Sequence, residues 1–284
     1  MTTAPARWRA PFERALPALR IARFGLAVAL VAAMGVLAVR DVDFGALTWW
    51  LLVPSATAAA VWWTLLARGW AILVSGRTTA HDVATWCRTQ VLRYLPGGIW
   101  APTSRIVLVD GSAVDRVATV AAENVVSLCA ALTIGGAALA VSGRPAWVAL
   151  VLCVALPSVG ARFVAGRTRL DRRRVVRATA NALLGFACYV ASAVMVQAAV
   201  SGLHRPLLVA GAAGVSWAAA LVAVFAPGGL GVREIAYVGL LGSSFGHDDL
   251  IAAAIVMRAV TIAAELLVLL AAGRPSTRHA AKNS

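Results

Sequence analysis

"VLRYLPGGIW" (Val91–Trp100) and "VAVFAPGGLG" (Val222–Gly231) decide how this chain is read. Each sets Pro-Gly-Gly inside apolar sequence, and Pro96 and Pro227 lie 131 residues apart. Proline lacks an N–H and glycine tolerates positive φ, so the triplet ends one helix and lets the chain reverse. In hydrocarbon the freed backbone groups find no water. A chain that breaks twice in apolar surroundings must therefore face the breaks toward protein or a polar cavity.

The surroundings are apolar along the whole chain. Hydrophobic residues make up 61% of the 284 and charged residues 13%, with a mean hydropathy of +0.81. A soluble domain carries about 25% charged residues. Runs at about 20–39, 47–67, 117–141, 146–161, 178–200, 207–226 and 250–272 approach the roughly 20 residues that cross a bilayer, the fourth being short. Alternating barrel strands are not seen. The expectation is an all-α, polytopic transmembrane bundle forming a single domain over 1–284.

The net charge is +14, and 25 of the 26 basic residues are Arg. They sit between the spans, as the positive-inside rule places them, and not on one nucleic-acid-binding face. With each Pro-Gly-Gly segment folded as a hairpin and both termini cytoplasmic, 21 basic residues fall inside. Arg40, Arg144 and Arg205 fall outside, and Arg233 and Arg258 stay at membrane depth. The expected location is the cell (inner) membrane, multi-pass. "RTRLDRRRVVR" (Arg167–Arg177) then reads as a cytoplasmic loop beside anionic headgroups. The first run, Phe24–Val39, follows a basic leader and resembles a signal peptide, but an uncleaved first helix is expected.

Chemistry-bearing clusters are sparse. Cys87, Cys129, Cys153 and Cys188 are isolated, as are His81, His204, His247 and His279, so neither a metal nor a cofactor is expected. No nucleotide-binding loop, Ser-His-acid pattern or acidic pair at a membrane face appears, so the chain is not read as an enzyme and has no catalytic candidates. "HDD" (His247–Asp249) reads as a helix cap, with Asp248 or Asp249 at the N-cap. Asn124 and Asn181 read as interhelical hydrogen bonders.

The two breaks occupy matching places. Segments 82–109 and 227–246 are too short or too polar to cross comfortably, and the order span, span, hairpin, span occurs twice with opposite sides of approach. The halves are about 20–141 and 146–272, and from Pro to next span is 21 residues in one and 23 in the other. This predicts an inverted repeat with two re-entrant, broken-helix hairpins, whose breaks mark a central site. The competing reading is two ordinary helix-ending loops that share three residues.

Candidate site residues follow from the breaks. Tyr94, Pro96, Gly97, Gly98 and Arg105 flank the first; Gly228, Gly229, Gly231, Arg233 and Glu234 follow the second. Arg105 and Arg233 lie nine and six residues past their prolines, near the start of a return helix, and guanidinium is the preferred bidentate partner of phosphate. A helix N-terminus also favours anions. Glu123, Arg258 and Glu265 lie within spans, either as functional groups or as an ion pair that fixes packing, for example Arg258 with Glu234 or Glu123.

"PGGLGVREIAYVGLL" with "AAAIVMRAVTIAAELL", and more weakly "RYLPGGIWAPTSR" and "ENVVSL", resemble the signatures of the lysylphosphatidylglycerol synthase transmembrane-region family, also described as flippase-like. The resemblance covers about 20–272; Ile235 departs from the Gly that commonly follows the Glu. It implies a bacterial or archaeal inner-membrane protein handling an anionic or modified lipid, with Tyr94, Pro96, Gly97, Arg105, Pro227, Gly228, Gly229, Gly231, Arg233, Glu234 and Arg258 as its signature residues. The sequence ends twelve residues past the last span, so the synthase domain and lysyl transfer are not expected.

Two functions follow. The first is a translocase or binder of an anionic phospholipid or a polyprenyl-phosphate-linked glycolipid, with Arg105 and Arg233 on the phosphate and with Glu234, Glu123 or Glu265 available for coupling. The alternative is a non-transporting accessory subunit of a membrane glycosyltransferase or of a cell-envelope assembly. A glycosyltransferase in its own right would need an acidic site that the sequence lacks.

Overall fold

The computed structural model describes residues 45, 47–94, 100–109, 111–143, 170–223, 227–229 and 231–272. The expected spans at 20–39 and 146–161, and Pro96, Gly97 and Gly98 of the first break, lie outside the described residues.

The described elements are all helical. They are α1 (Leu52–Ser75, entered through a 3₁₀ turn Trp49–Leu51), α2 (Ala80–Gln90, continued by a 3₁₀ turn Val91–Tyr94), α3 (Trp100–Leu108) and α4 (Ala113–Val141). After these come α5 (Arg172–Ser201), α6 (Pro206–Val222), a 3₁₀ turn Pro227–Gly229, α7 (Val232–Leu241) and α8 (His247–Ala272). Four helical stretches are long and apolar enough to cross a bilayer: Trp49–Ser75, Ala113–Val141, Arg172–Ser201 and His247–Ala272. These are the marks of a membrane protein. The apolar α6 is shorter, at 17 residues.

Helix ends correct several expectations. Helix α1 runs past residue 67, through Arg68 to Ser75, because the chain first finds a stop at Gly76, a left-handed cap with φ 75° whose N–H bonds Ile72 O. Helix α5 starts at Arg172, so Arg172, Arg173, Arg174 and Arg177 are helical and not loop. Asp171 makes this start possible by accepting the Arg174 N–H at 2.7 Å. Helix α6 ends at Val222, short of residue 226. Helix α8 begins at His247, which places Asp248 and Asp249 in its first turn and not at the N-cap, where they still favour the positive end of the helix. Asn124 and Asn181 do not bridge helices: each donates to the carbonyl one turn back, Val120 O at 2.8 Å and Arg177 O at 2.9 Å.

Helices α1 and α5 pack antiparallel through contacts that step by seven residues. Ser55 meets Ser192 (Oγ–Oγ 2.9 Å), Trp62 covers Gly185, and Gly69 meets Ala178. A step of seven keeps one seam in contact, and small residues on α5 admit the indoles of α1. Trp62 then stacks on Tyr189 (4.6 Å between centroids) and on Trp63 (4.7 Å), while Phe186 meets Trp217 of α6 at 4.6 Å. Helices α4 and α6 come closer still: a Cβ on Gly135 would lie 3.0 Å from Gly214 Cα, and one on Gly214 would lie 2.9 Å from Ala131 O.

That contact is backbone against backbone, so neither helix can yield without separating. Gly214→Leu is expected to cost at least about 3 kcal/mol, the upper end of ordinary overpacking. Thermal melting in detergent checks this: the variant melts well below wild type, whereas Gly239→Leu, at a glycine with nothing around its missing Cβ, changes little.

Candidate functional site

A 3₁₀ turn follows α2 and another lies between α6 and α7, and the two meet where Tyr94 packs on Gly228. The first follows α2, whose N-cap Thr79 accepts the Asp82 N–H at 3.1 Å, and runs through the 3₁₀ turn into Tyr94 before α3 starts at Trp100. The second lies between α6 and α7, with Gly228, Gly229 and Gly231 at φ 57°, 70° and 81°. These angles are strained for any residue with a Cβ. Space makes the same demand at Gly228, where a Cβ would fall 2.9 Å from Tyr94 Cδ1 and 3.3 Å from Arg258 Nη2. The Tyr94 ring therefore rests on the Gly228 backbone, and Arg258 Nη2 donates to the Gly228 carbonyl at 3.0 Å. Gly231 points its N–H at Glu234 Oε2, at 2.8 Å.

Beside this junction lies a cavity of about 420 Å³ whose described walls come from α1 to α4 and α6 to α8. Arg93, Arg105, Arg233 and Arg258 line it, with Glu123 the lining carboxylate among the described residues. Trp62, Trp63, Trp86 and Trp217 form much of the remaining wall, and Gln90 and Asn124 add amides.

Three of the four arginines have carboxylate partners. Arg93 Nη2 donates to Glu265 Oε2 at 2.6 Å and to the Tyr94 hydroxyl oxygen at 2.6 Å, while the same hydroxyl donates to Glu265 Oε2 at 2.8 Å. The Arg93 guanidinium also lies over the Trp63 ring, 4.5 Å from its centroid. Arg105, 3% exposed, brings Nη1 within 2.8 Å of Glu123 Oε2 without the alignment of a hydrogen bond, so this contact is one of charge. Glu123 Oε1 accepts instead from Trp86 Nε1 at 3.1 Å. Arg258 reaches Glu234 Oε1 at 3.8 Å. Arg233 has no carboxylate partner among the described residues; its guanidinium lies 5.1 Å from the Tyr189 ring centroid.

The expected residues are thus partly gathered. Arg105, Glu123, Gly228, Gly229, Arg233 and Arg258 line one cavity, and Tyr94 supports it from behind. Gly231 and Glu234 shape the second break and do not line this cavity, although Glu234 and Arg233 share a small cleft with Tyr189 and Tyr237. Of the two alternatives offered for Arg258, Glu234 is its ion-pair partner. One placement is corrected: Arg105 lies in the last turn of α3 and not near its start. Helix α3 is only nine residues long, so a position nine past Pro96 falls at its C-terminal end. A cation there suits the negative end of the helix.

Arg93 and the tryptophan wall were not among the expected site residues. A signal was present: Trp86, Gln90 and Arg93 recur at i, i+4 and i+7, the spacing of one helix face. Trp62 and Trp63 carried none, since they read as ordinary apolar helix. Among the described residues, no group of three or more His, Cys, Asp or Glu converges as a metal site would require.

Comparison of the chain with protein-family models gives no match, and comparison with characterised proteins gives none either.

The Arg93–Glu265 pair provides a check on the site. Glu265 is 7% and Arg93 23% exposed, so removing one partner strands the other charge at a cost below the roughly 3 to 5 kcal/mol of a fully buried pair, while replacing both by apolar residues is often neutral. Glu265→Ala should therefore lower the melting temperature in detergent sharply, and Arg93→Met with Glu265→Met should restore most of the loss. Equal destabilisation in both would show that the pairing is incidental.

Proposed function

We propose that this protein is a flippase-like integral membrane protein that receives the phosphate of an anionic lipid in the central cavity and passes the headgroup between leaflets. The lipid is an anionic phospholipid or a polyprenyl-phosphate-linked glycolipid. The observation that carries the reading is the convergence of Arg105, Arg233 and Arg258, from three separate helices, on a cavity beside the Gly228–Gly229 turn. Cations held at this depth are expensive, and an anionic ligand offsets part of that expense. Guanidinium groups remain charged there and match phosphate geometry.

In this reading both breaks are re-entrant hairpins of an inverted repeat, and rocking of one half against the other opens the cavity to either side. The tail stays in the bilayer while the headgroup crosses. The resemblance of "PGGLGVRE" to flippase-like membrane proteins is consistent with that role, in an inner membrane with both termini cytoplasmic.

The test uses purified protein in liposomes bearing a trace of fluorescent phosphatidylglycerol, with dithionite reduction reporting arrival at the outer leaflet. Wild type accelerates crossing, and Arg105→Ala and Arg233→Ala each slow it by at least about tenfold, the loss expected when a charged partner of a buried anion is removed. Crossing no faster than in empty vesicles for any anionic lipid removes the transport reading. The accessory-subunit reading then takes its place, with Arg233→Ala expected to disrupt a membrane complex.

A further inference from the structure

We infer that Tyr189 is the positioning residue for Arg233: its ring holds the guanidinium at the cavity wall without neutralising it, so that the charge remains for an anion. This rests on the anionic-lipid reading above and adds to it a residue that does not itself line the central cavity.

The first ground is where Arg233 lies. It lines the central cavity and also the small cleft that Tyr189 lines, so its side chain stands between the two spaces. The ring is on the cleft side, with its centroid 5.1 Å from the guanidinium carbon. The second ground is the kind of partner. Arg93, Arg105 and Arg258 face carboxylates at 2.6, 2.8 and 3.8 Å. A carboxylate cancels the charge that it holds and competes with an incoming anion. An aromatic face attracts the guanidinium through its quadrupole and leaves the unit charge intact. Glu234, the next residue along, is turned instead to the Gly231 N–H at 2.8 Å and to Arg258.

The third ground is that the ring is itself fixed. Tyr189 is buried, and its ring centroid lies 4.6 Å from that of Trp62 and 5.9 Å from that of Phe186. Trp62 in turn sits on Gly185, where a Cβ would come 3.3 Å from Trp62 Cδ1, so the α1–α5 seam sets the place of the ring. Arg233 is the second residue of α7 and follows Gly231, whose φ is 81°. One turn further on, the Tyr237 hydroxyl donates to Gln197 Oε1 at 2.9 Å. Residues four apart share a helix face, so one face of α7 is tied to α5 twice.

The test applies the liposome assay with fluorescent phosphatidylglycerol to the full chain altered at Tyr189. Tyr189→Leu, which removes the ring, should slow crossing by at least about fivefold, and Tyr189→Phe, which keeps it, should recover most of that loss. Phenylalanines carrying one, two and three ring fluorines are then placed at the same position by nonsense suppression. Fluorine withdraws electron density from the ring face, so crossing should slow with each addition. The trifluorinated ring should be at least about threefold slower than phenylalanine. These rings keep nearly the same size, so the series remains readable even if Tyr189→Leu does not fold.

A rate unmoved by fluorination, or one that rises with it, means that the ring only packs against Trp62 and Phe186. Either result overturns the positioning role and leaves the anionic-lipid reading standing, as does Tyr189→Leu crossing at the wild-type rate. Wild type crossing no faster than empty vesicles with every anionic lipid overturns both.

Discussion

At the second helix break the Gly228 carbonyl takes a hydrogen bond from Arg258 Nη2 at 3.0 Å, while the Tyr94 ring lies against the same glycine. A carbonyl left outside a helix needs a donor of its own. Arg258 supplies that donor and so becomes fixed at the centre of the molecule. Glycine is required there twice over, by a φ of 57° and by the tyrosine that leaves no space for a Cβ. The remaining central geometry follows from this seat. Tyr94 carries the segment before the first break, Glu265 binds Tyr94 and Arg93, and the cavity opens beside them.

Placing four arginines together in such surroundings creates a second constraint. Carboxylates from three helices answer three of them, Glu123 of α4, Glu234 of α7 and Glu265 of α8. Two of the pairs tie consecutive helices, α3 to α4 and α7 to α8, and the third, Arg93 with Glu265, joins segments 172 residues apart. Removing a single partner of a pair would strand the other charge. Arg233 stands outside this scheme, on the second residue of α7 and beside the cavity. Among the described residues it has the Tyr189 ring, and no carboxylate, as its neighbour.

Much of the helical bundle was legible in the sequence because apolar length is a one-dimensional property. The spans near 47–67, 117–141, 178–200, 207–226 and 250–272 all correspond to helices, and errors are confined to the ends. Those errors have local causes. Gly76 and Asp171 decide where α1 stops and α5 starts, and a hydropathy window does not register a cap. Asn124 and Asn181 were misread because a short amide can satisfy itself on its own helix at no cost in topology.

The site was legible only where chemistry broke the apolar pattern. Arg105, Arg233, Arg258, Glu123 and Glu265 stood out as charges in apolar sequence, and all take part in the central cluster or line its cavity. The partner of each charge was mostly hidden, because Arg93 and Glu265 are 172 residues apart and only the fold joins them. The tryptophan wall was hidden for the opposite reason, since an indole in an apolar helix looks like core until an N–H is found without an acceptor. A cryo-EM map of the protein in nanodiscs containing phosphatidylglycerol decides whether this site holds a lipid phosphate. Phosphate density is expected within hydrogen-bonding reach of Arg233 and of Arg105 or Arg258, with the Tyr94 ring on Gly228. A map in which Arg233 faces bulk water or acyl chains, and Tyr94 stands away from Gly228, would contradict it.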